Sequence, residues 1–201
     1  MDDSYRTILN AAESRLTVKK SEFIASVAPI KSHEEAAALN AEIRSVHRKA
    51  RHNCYAYILR KNGDSRSSDD GEPSGTGGRP ILEILRKESL CDVICVVTRY
   101  FGGILLGAAG LSRAYGKAAA AGVHAADIRV MKKSATLCIR SDYGQYDKTA
   151  ALVRAHGGVV VSEAFADGVE MTADFPEENA NVFMKHVGAA EIIRVGYRDF
   201  G

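Results

Sequence analysis

The chain has 201 residues, 26% charged and 46% hydrophobic, with 27 Lys and Arg set against 25 Asp and Glu. Such fractions belong to an ordinary globular protein of one large domain or two small ones, and they exclude a disordered or low-complexity chain. No apolar run approaches the roughly 20 residues that span a bilayer, and the opening MDDSYRTILNAAES has no basic-then-apolar signal pattern, so a cytoplasmic location without a membrane partner is expected.

The run from Arg15 to Ile30 alternates apolar and polar residues and reads as strand material ending near Pro29. Ser32 then reads as a helix N-cap, with Glu35 three residues on as its capping-box partner. The helix carries Ala36, Ala37, Leu39, Ala41, Ile43 and Val46 and is expected to run to about Ala50. On that helix Arg44, Arg48 and Arg51 fall at i, i+4 and i+7, a one-face stripe able to meet a phosphate backbone or to stay solvated. Asn53 to Leu59 is a strand, Pro80 to about Glu88 a helix, Asp92 to Thr98 a fully apolar strand, and Gly107 to Ala121 an alanine-rich helix.

A second unit follows. It reads as strand Val130–Ile139, helix Tyr143–His156, strands Val159–Phe165 and Val169–Phe175, helix Pro176–Val187 and strand Glu191–Tyr197, with Asp167-Gly168 as the central turn. The order βαββαβ is that of a ferredoxin-like sandwich. Domains are therefore expected at residues 1–126 and 127–201, joined near His124 to Ile128 without a Gly/Ser/Pro linker.

The segment SSDDGEPSGTGGRP, Ser67 to Pro80, concentrates acids, glycines and prolines ahead of a helix. It lacks the Lys-Ser/Thr of a phosphate-binding loop, the third glycine of a dinucleotide fingerprint and the serine spacing of a nucleophile elbow. Two readings are open: a functional surface loop that contributes little to stability, or a solvated turn that caps the helix. Asp69, Asp70 and Glu72 can hold a cation through water, or pair with Arg66 and Arg79. The four cysteines lie inside apolar runs without zinc or disulfide spacing, so core packing is expected of them. Charge is unevenly divided, with 18 Lys and Arg against 14 Asp and Glu through Ala125 and 9 against 11 beyond it, which places attraction for an acidic partner in the first unit.

Three blocks together, KKSEFIA (Lys19 to Ala25), ARHNCYAY (Ala50 to Tyr57) with DDGEPSGTGGRPIL (Asp69 to Leu82), and VTRYFGGILLGAAGLSRAYG (Val97 to Gly116), resemble the YigZ/IMPACT family in order and spacing. Gly78 stands where the family loop usually has alanine, and Ala109 where a glycine is common; both are small-for-small changes expected to leave the backbone largely intact. The resemblance implies an α+β protein with a first domain like domain 2 of ribosomal protein S5. It implies a second, ferredoxin-like domain resembling the C-terminal domain of elongation factor G. Both folds recur in proteins that work on RNA and the ribosome, and eukaryotic IMPACT relatives act in translational control.

The expectation is a cytoplasmic, non-enzymatic binding or regulatory protein of translation or RNA metabolism, engaging RNA, the ribosome or a translation-regulatory protein through its first domain. The residues assigned to that contact are Arg44, Arg48, Arg51, His52, Asp69, Asp70, Glu72, Ser74, Thr76, Arg79, Arg99 and Tyr100. Either Arg99 and Tyr100 stack on a base or hold a phosphate, or Tyr100 and Phe101 cover the core edge with Arg99 paired to Asp69 or Asp70. No cofactor and no metal is assigned. The alternative is a small-molecule hydrolase in which His52 works with Asp70 or Glu72, or forms a thiolate pair with Cys54 on the same strand face.

Overall fold

In the computed structural model, which describes residues 4–187 and 190–199, the alternating run from Arg15 to Ile30 is a hairpin and not one strand. A short strand β1 (Tyr5–Ile8) precedes it, and β2 (Ala12–Val18) then pairs antiparallel with β3 (Ser21–Pro29) around Lys19 and Lys20. Both lysines sit at positive φ, 45° and 65°, the backbone of a two-residue type I′ turn. That turn normally announces itself with Asn-Gly or Asp-Gly, and two lysines give no such sign.

Helix α1 (His33–Val46) starts as its sequence dictates. Ser32 Oγ accepts from the Glu35 amide at 3.3 Å, and the Glu35 carboxylate accepts in return from the Lys31 amide at 2.7 Å. It ends four residues before Ala50, because His47 turns out of the helix and its Nδ1 shares a 2.9 Å hydrogen bond with the Tyr100 hydroxyl. Strands β4 (His52–Ile58) and β5 (Ser65–Ser68), helix α2 (Gly78–Lys87), strand β6 (Val93–Tyr100) and helix α3 (Ala108–Ala125) complete this unit.

The sheet runs β2-β3-β6-β4-β5, antiparallel throughout. One face buries Phe23, Ala25, Cys54, Cys95 and Val97 against Ile81, Leu85, Tyr115 and Ala118 of α2 and α3; the other buries Ala28, Tyr57, Ile94 and Val96 against Ala36 and Ile43 of α1. Covering both faces explains why the central strand β6 is apolar at nearly every position. Gly102 just past β6 packs so tightly on the backbone of Lys20 that a Cβ there has no room, which ties the β2–β3 turn to the end of the central strand.

Contacts divide the chain inside the next strand, between Arg129 and Val130. The second unit comprises β7 (Ile128–Ser141), α4 (Tyr146–Ala155), β8 (Val159–Phe165), β9 (Val169–Pro176), α5 (Glu177–His186) and β10 (Ala190–Arg198). Its strands pair antiparallel in the order β10-β7-β9-β8. Leu137, Ile139, Met171 and Phe175 pack there on Val153 and Phe183 of the two helices. Among the described residues, no helix is long and apolar enough to cross a membrane.

Candidate functional site

The loop between β5 and α2 is built inward around its acids. Asp69 accepts the amides of Gly75 at 2.8 Å on one carboxylate oxygen and of Gly77 and Gly78 at 2.8 and 2.9 Å on the other. Burial by itself would raise this carboxyl, but the three amide donors outweigh it and hold Asp69 below the usual carboxylate range. Asp70 accepts the Asn53 amide at 2.6 Å and pairs with the Arg44 guanidinium. Asn53 in turn takes a 2.7 Å bond from the Thr98 hydroxyl, directly across the β4–β6 ladder.

Glu72 reaches deepest. Its carboxylate receives Arg99 Nη1 at 2.6 Å and the Tyr115 hydroxyl at 2.9 Å, and the Arg99 and Glu72 side chains are only 7% and 4% exposed. The Arg99 guanidinium lies 5.6 Å and 5.5 Å from the ring centres of Phe23 and Phe101. Arg99 is thus paired as one of the two open readings required, although with Glu72 and with neither aspartate. Arg79 pairs with Glu83 one helical turn on and not with the loop acids. The loop is therefore not a solvated turn, although it does cap α2 through Asp69, and its three acids bond strand, loop and helix together.

Two further expectations change. The arginine stripe is not formed on one helix face: Arg44 is on α1, whereas Arg48 and Arg51 lie in the turn beyond it, and Arg48 Nε bonds back to the Ser45 carbonyl at 3.0 Å. His52 meets Asp70 through that residue's main-chain carbonyl, Nδ1 to O at 2.8 Å, while the Asp70 carboxylate is engaged by Asn53 and Arg44. The expected acid–base pair with Asp70 or Glu72 is not the arrangement present, since both carboxylates bind other donors. Cys54 faces inward under the loop, its thiol 3.0 Å from the Asp69 carbonyl, and burial pushes it up to about 12. The thiol thus bonds the Asp69 carbonyl and His52 Nδ1 the Asp70 carbonyl, which is not the arrangement of a thiolate pair. Thr76 is buried and bonds the Pro73 carbonyl at 2.6 Å, while Ser74 is exposed. Among the described residues, no group of three His, Cys, Asp or Glu side chains is arranged to hold a metal ion.

What remains open to solvent lies at one end of the sheet. The pairings Glu22 with Tyr100 and His52 with Arg99 bring the β2–β3 turn, the α1–β4 turn and the segment after β6 to the same edge. They gather exposed Lys19, Lys20, Arg48, Lys49 and Arg51 beside Phe101, Ile104 and Leu105, which are 53%, 40% and 83% exposed. Next to this rim is a half-open cleft of about 410 Å³ between the ends of β4 and β6 and the start of α3. The lysines and the apolar triplet escape a reading of the sequence because no local motif links them; only the strand register does.

A family described as the Impact N-terminal domain matches residues 19–123, which includes the whole acid-centred loop, β6 and most of α3. The chain belongs to the IMPACT family. A second family, described as a domain of unknown function (DUF1949), matches residues 139–188 of this IMPACT chain. It is 36% identical over 181 residues to IMPACT family member YvyE of Bacillus subtilis, covering 90% of this chain and 83% of that one. It is 44% identical over 102 residues to IMPACT family member YigZ of Escherichia coli, covering 49% and 50% of the two chains. A crystal structure titled as that of a hypothetical protein superposes with a TM-score of 0.64 at 28% identity, over 92% of this chain and 91% of the other. The mixed α/β, two-unit architecture with antiparallel sheets is thus shared with a solved structure of similar length.

Proposed function

We propose that this IMPACT chain is a translation-linked binding protein whose first unit docks on RNA, ribosomal RNA included, through the basic rim at the sheet end. The observation that carries the reading is the cluster of Lys19, Lys20, Arg48, Lys49 and Arg51, none ion-paired among the described residues, around exposed Phe101. Cations beside an exposed ring suit a phosphate backbone with a base stacked alongside. Family membership supports the translation context, and the order β10-β7-β9-β8 supports the ferredoxin-like reading of the second unit. The S5-like reading of the first unit belongs to the same proposal. Arg44, Asp69, Asp70, Glu72 and Arg99 serve as the frame beneath this face and not as its contacts.

Fluorescence anisotropy with a labelled single-stranded RNA, together with co-sedimentation with ribosomes, tests the reading. If all five cations meet phosphates, log affinity falls against log salt with a slope of about −3.5. Arg48→Glu combined with Lys49→Glu should reduce that slope by about 1.4 and weaken binding to both targets. Absence of binding at low salt, or binding untouched by the double reversal, overturns the proposal.

A further inference from the structure

We propose that the cleft at the start of α3, which shares Arg51 and Phe101 with the basic rim, is a binding site for a small organic anion with a compact apolar body. Its volume of about 410 Å³ falls in the range of small-ligand pockets, and it is half-open to solvent. One end carries the exposed cation Arg51, and His52, the Glu72-paired Arg99 and the first residues of α3 line it beside that charge. That helix is 18 residues long, begins after Gly107 without a side-chain cap, and has no acid in its first turn, so its positive end and free amides point to an anion. The carboxylate of Glu72 also lines the cleft, but it is committed to Arg99 and Tyr115 and leaves Arg51 uncompensated.

Two further observations argue for a ligand. Among the described residues, buried Arg99 Nε has no hydrogen-bond partner, although Nη1 of the same guanidinium is engaged and the side chain lines the cleft. His52 is also oriented: its Nδ1 donates to the Asp70 carbonyl, which leaves Nε2 as the nitrogen that an O–H or N–H of the ligand can meet. The other end of the cleft is apolar, formed by Phe101, Leu105, Leu106 and Leu111. Leu105 is 83% exposed and, with Phe101 and Leu106 beside it, extends a contiguous apolar wall. A phosphate alone would leave the apolar wall bare, and a neutral hydrocarbon would leave Arg51 and the helix end without a counter-charge. One anionic group carried on a small apolar body satisfies both.

The test uses the full chain and two probes of nearly equal shape, 8-anilinonaphthalene-1-sulfonate and its neutral parent N-phenyl-1-naphthylamine. The sulfonate should bind with a stoichiometry of one and at least about tenfold more tightly than the neutral probe. Arg51→Glu should weaken the sulfonate about tenfold and the neutral probe little, and Leu105→Ser should weaken both; neither exposed change should move the melting midpoint. Amide chemical shifts of Ala108, Ala109 and Gly110 should move on titration. Equal affinity for the two probes makes the cleft an apolar docking patch and overturns the inference. So do shifts confined to other regions, indifference to Arg51→Glu, or no binding. RNA binding is read separately with Arg48 and Lys49, so either proposal can fail without the other.

Discussion

Arg99 at the end of β6 and Glu72 in the acid-centred loop form a buried ion pair of 2.6 Å that locks the loop onto the sheet. Charges this deep stabilise only while both partners and their further hydrogen bonds are present, and Tyr115 from α3 supplies one of those bonds. The pair thus joins a strand, a loop and a helix that lie far apart in the sequence.

Removing one member of this pair should destabilise the first unit severely. Glu72→Ala or Arg99→Ala is expected to cost about 3–5 kcal/mol by leaving an uncompensated buried charge. Tyr115→Phe should cost about 1–3 kcal/mol through the lost donor. Chemical denaturation of the single and double variants checks this, and a Glu72→Ala/Arg99→Ala protein whose cost equals the sum of the two single costs would remove the coupling.

Acid should loosen the loop through Asp69. Its carboxyl lies below the usual range in the folded protein, so its contribution is fully present above the unfolded value of about 3.9 and is lost as pH falls through the folded value. Asp174 in the second unit behaves the same way. Burial opposes its ionisation, but the Thr136 hydroxyl, Arg198 and Arg194 outweigh burial and lower it. Asp69→Asn should therefore flatten the loss of stability below about pH 4 in the first unit and leave that of the second unaltered. Melting followed between pH 2 and pH 7 reads both.

Gly78→Ala should destabilise, although a glycine-to-alanine change in a helix usually helps by restricting the unfolded chain. A Cβ at Gly78 would lie 2.6 Å from the Ser68 amide nitrogen and 2.7 Å from its carbonyl oxygen, and backbone atoms yield poorly. A small-for-small change at this position thus meets close backbone in this chain, and its cost is expected at about 1–3 kcal/mol. A rise in stability on substitution would show that α2 can move away from β5.

Cys54 should resist alkylation in the native protein. Its thiol is pushed up to about 12, that of Cys95 also to about 12 and that of Cys91 to about 11, in each case first by burial. Iodoacetamide at pH 8 should label Cys54 and Cys95 only after unfolding, as resolved by peptide mass mapping. Rapid native labelling of Cys54 would return the thiolate reading to consideration.

The sequence determines by itself most of what is periodic or locally signalled here. The Ser32–Glu35 cap, the apolar run Val93–Val97 of β6 and the βαββαβ order of the second unit follow from hydrogen bonds and side-chain patterning between near neighbours. The three motif blocks likewise carry the IMPACT resemblance without a structure. Lys19 and Lys20 mark where this legibility stops, because a positive-φ turn made of lysines is imposed by the strands it joins. Arg48 and Arg51 leave the helix since His47 finds Tyr100, 53 residues away, at the end of a strand that no periodicity connects to it. Glu72 looked like one acid among three, and only packing chose Arg99 and Tyr115 as its partners. A buried charge takes whichever partner the tertiary structure brings within reach, so pairing of this kind is decided by register and burial and not by spacing along the chain.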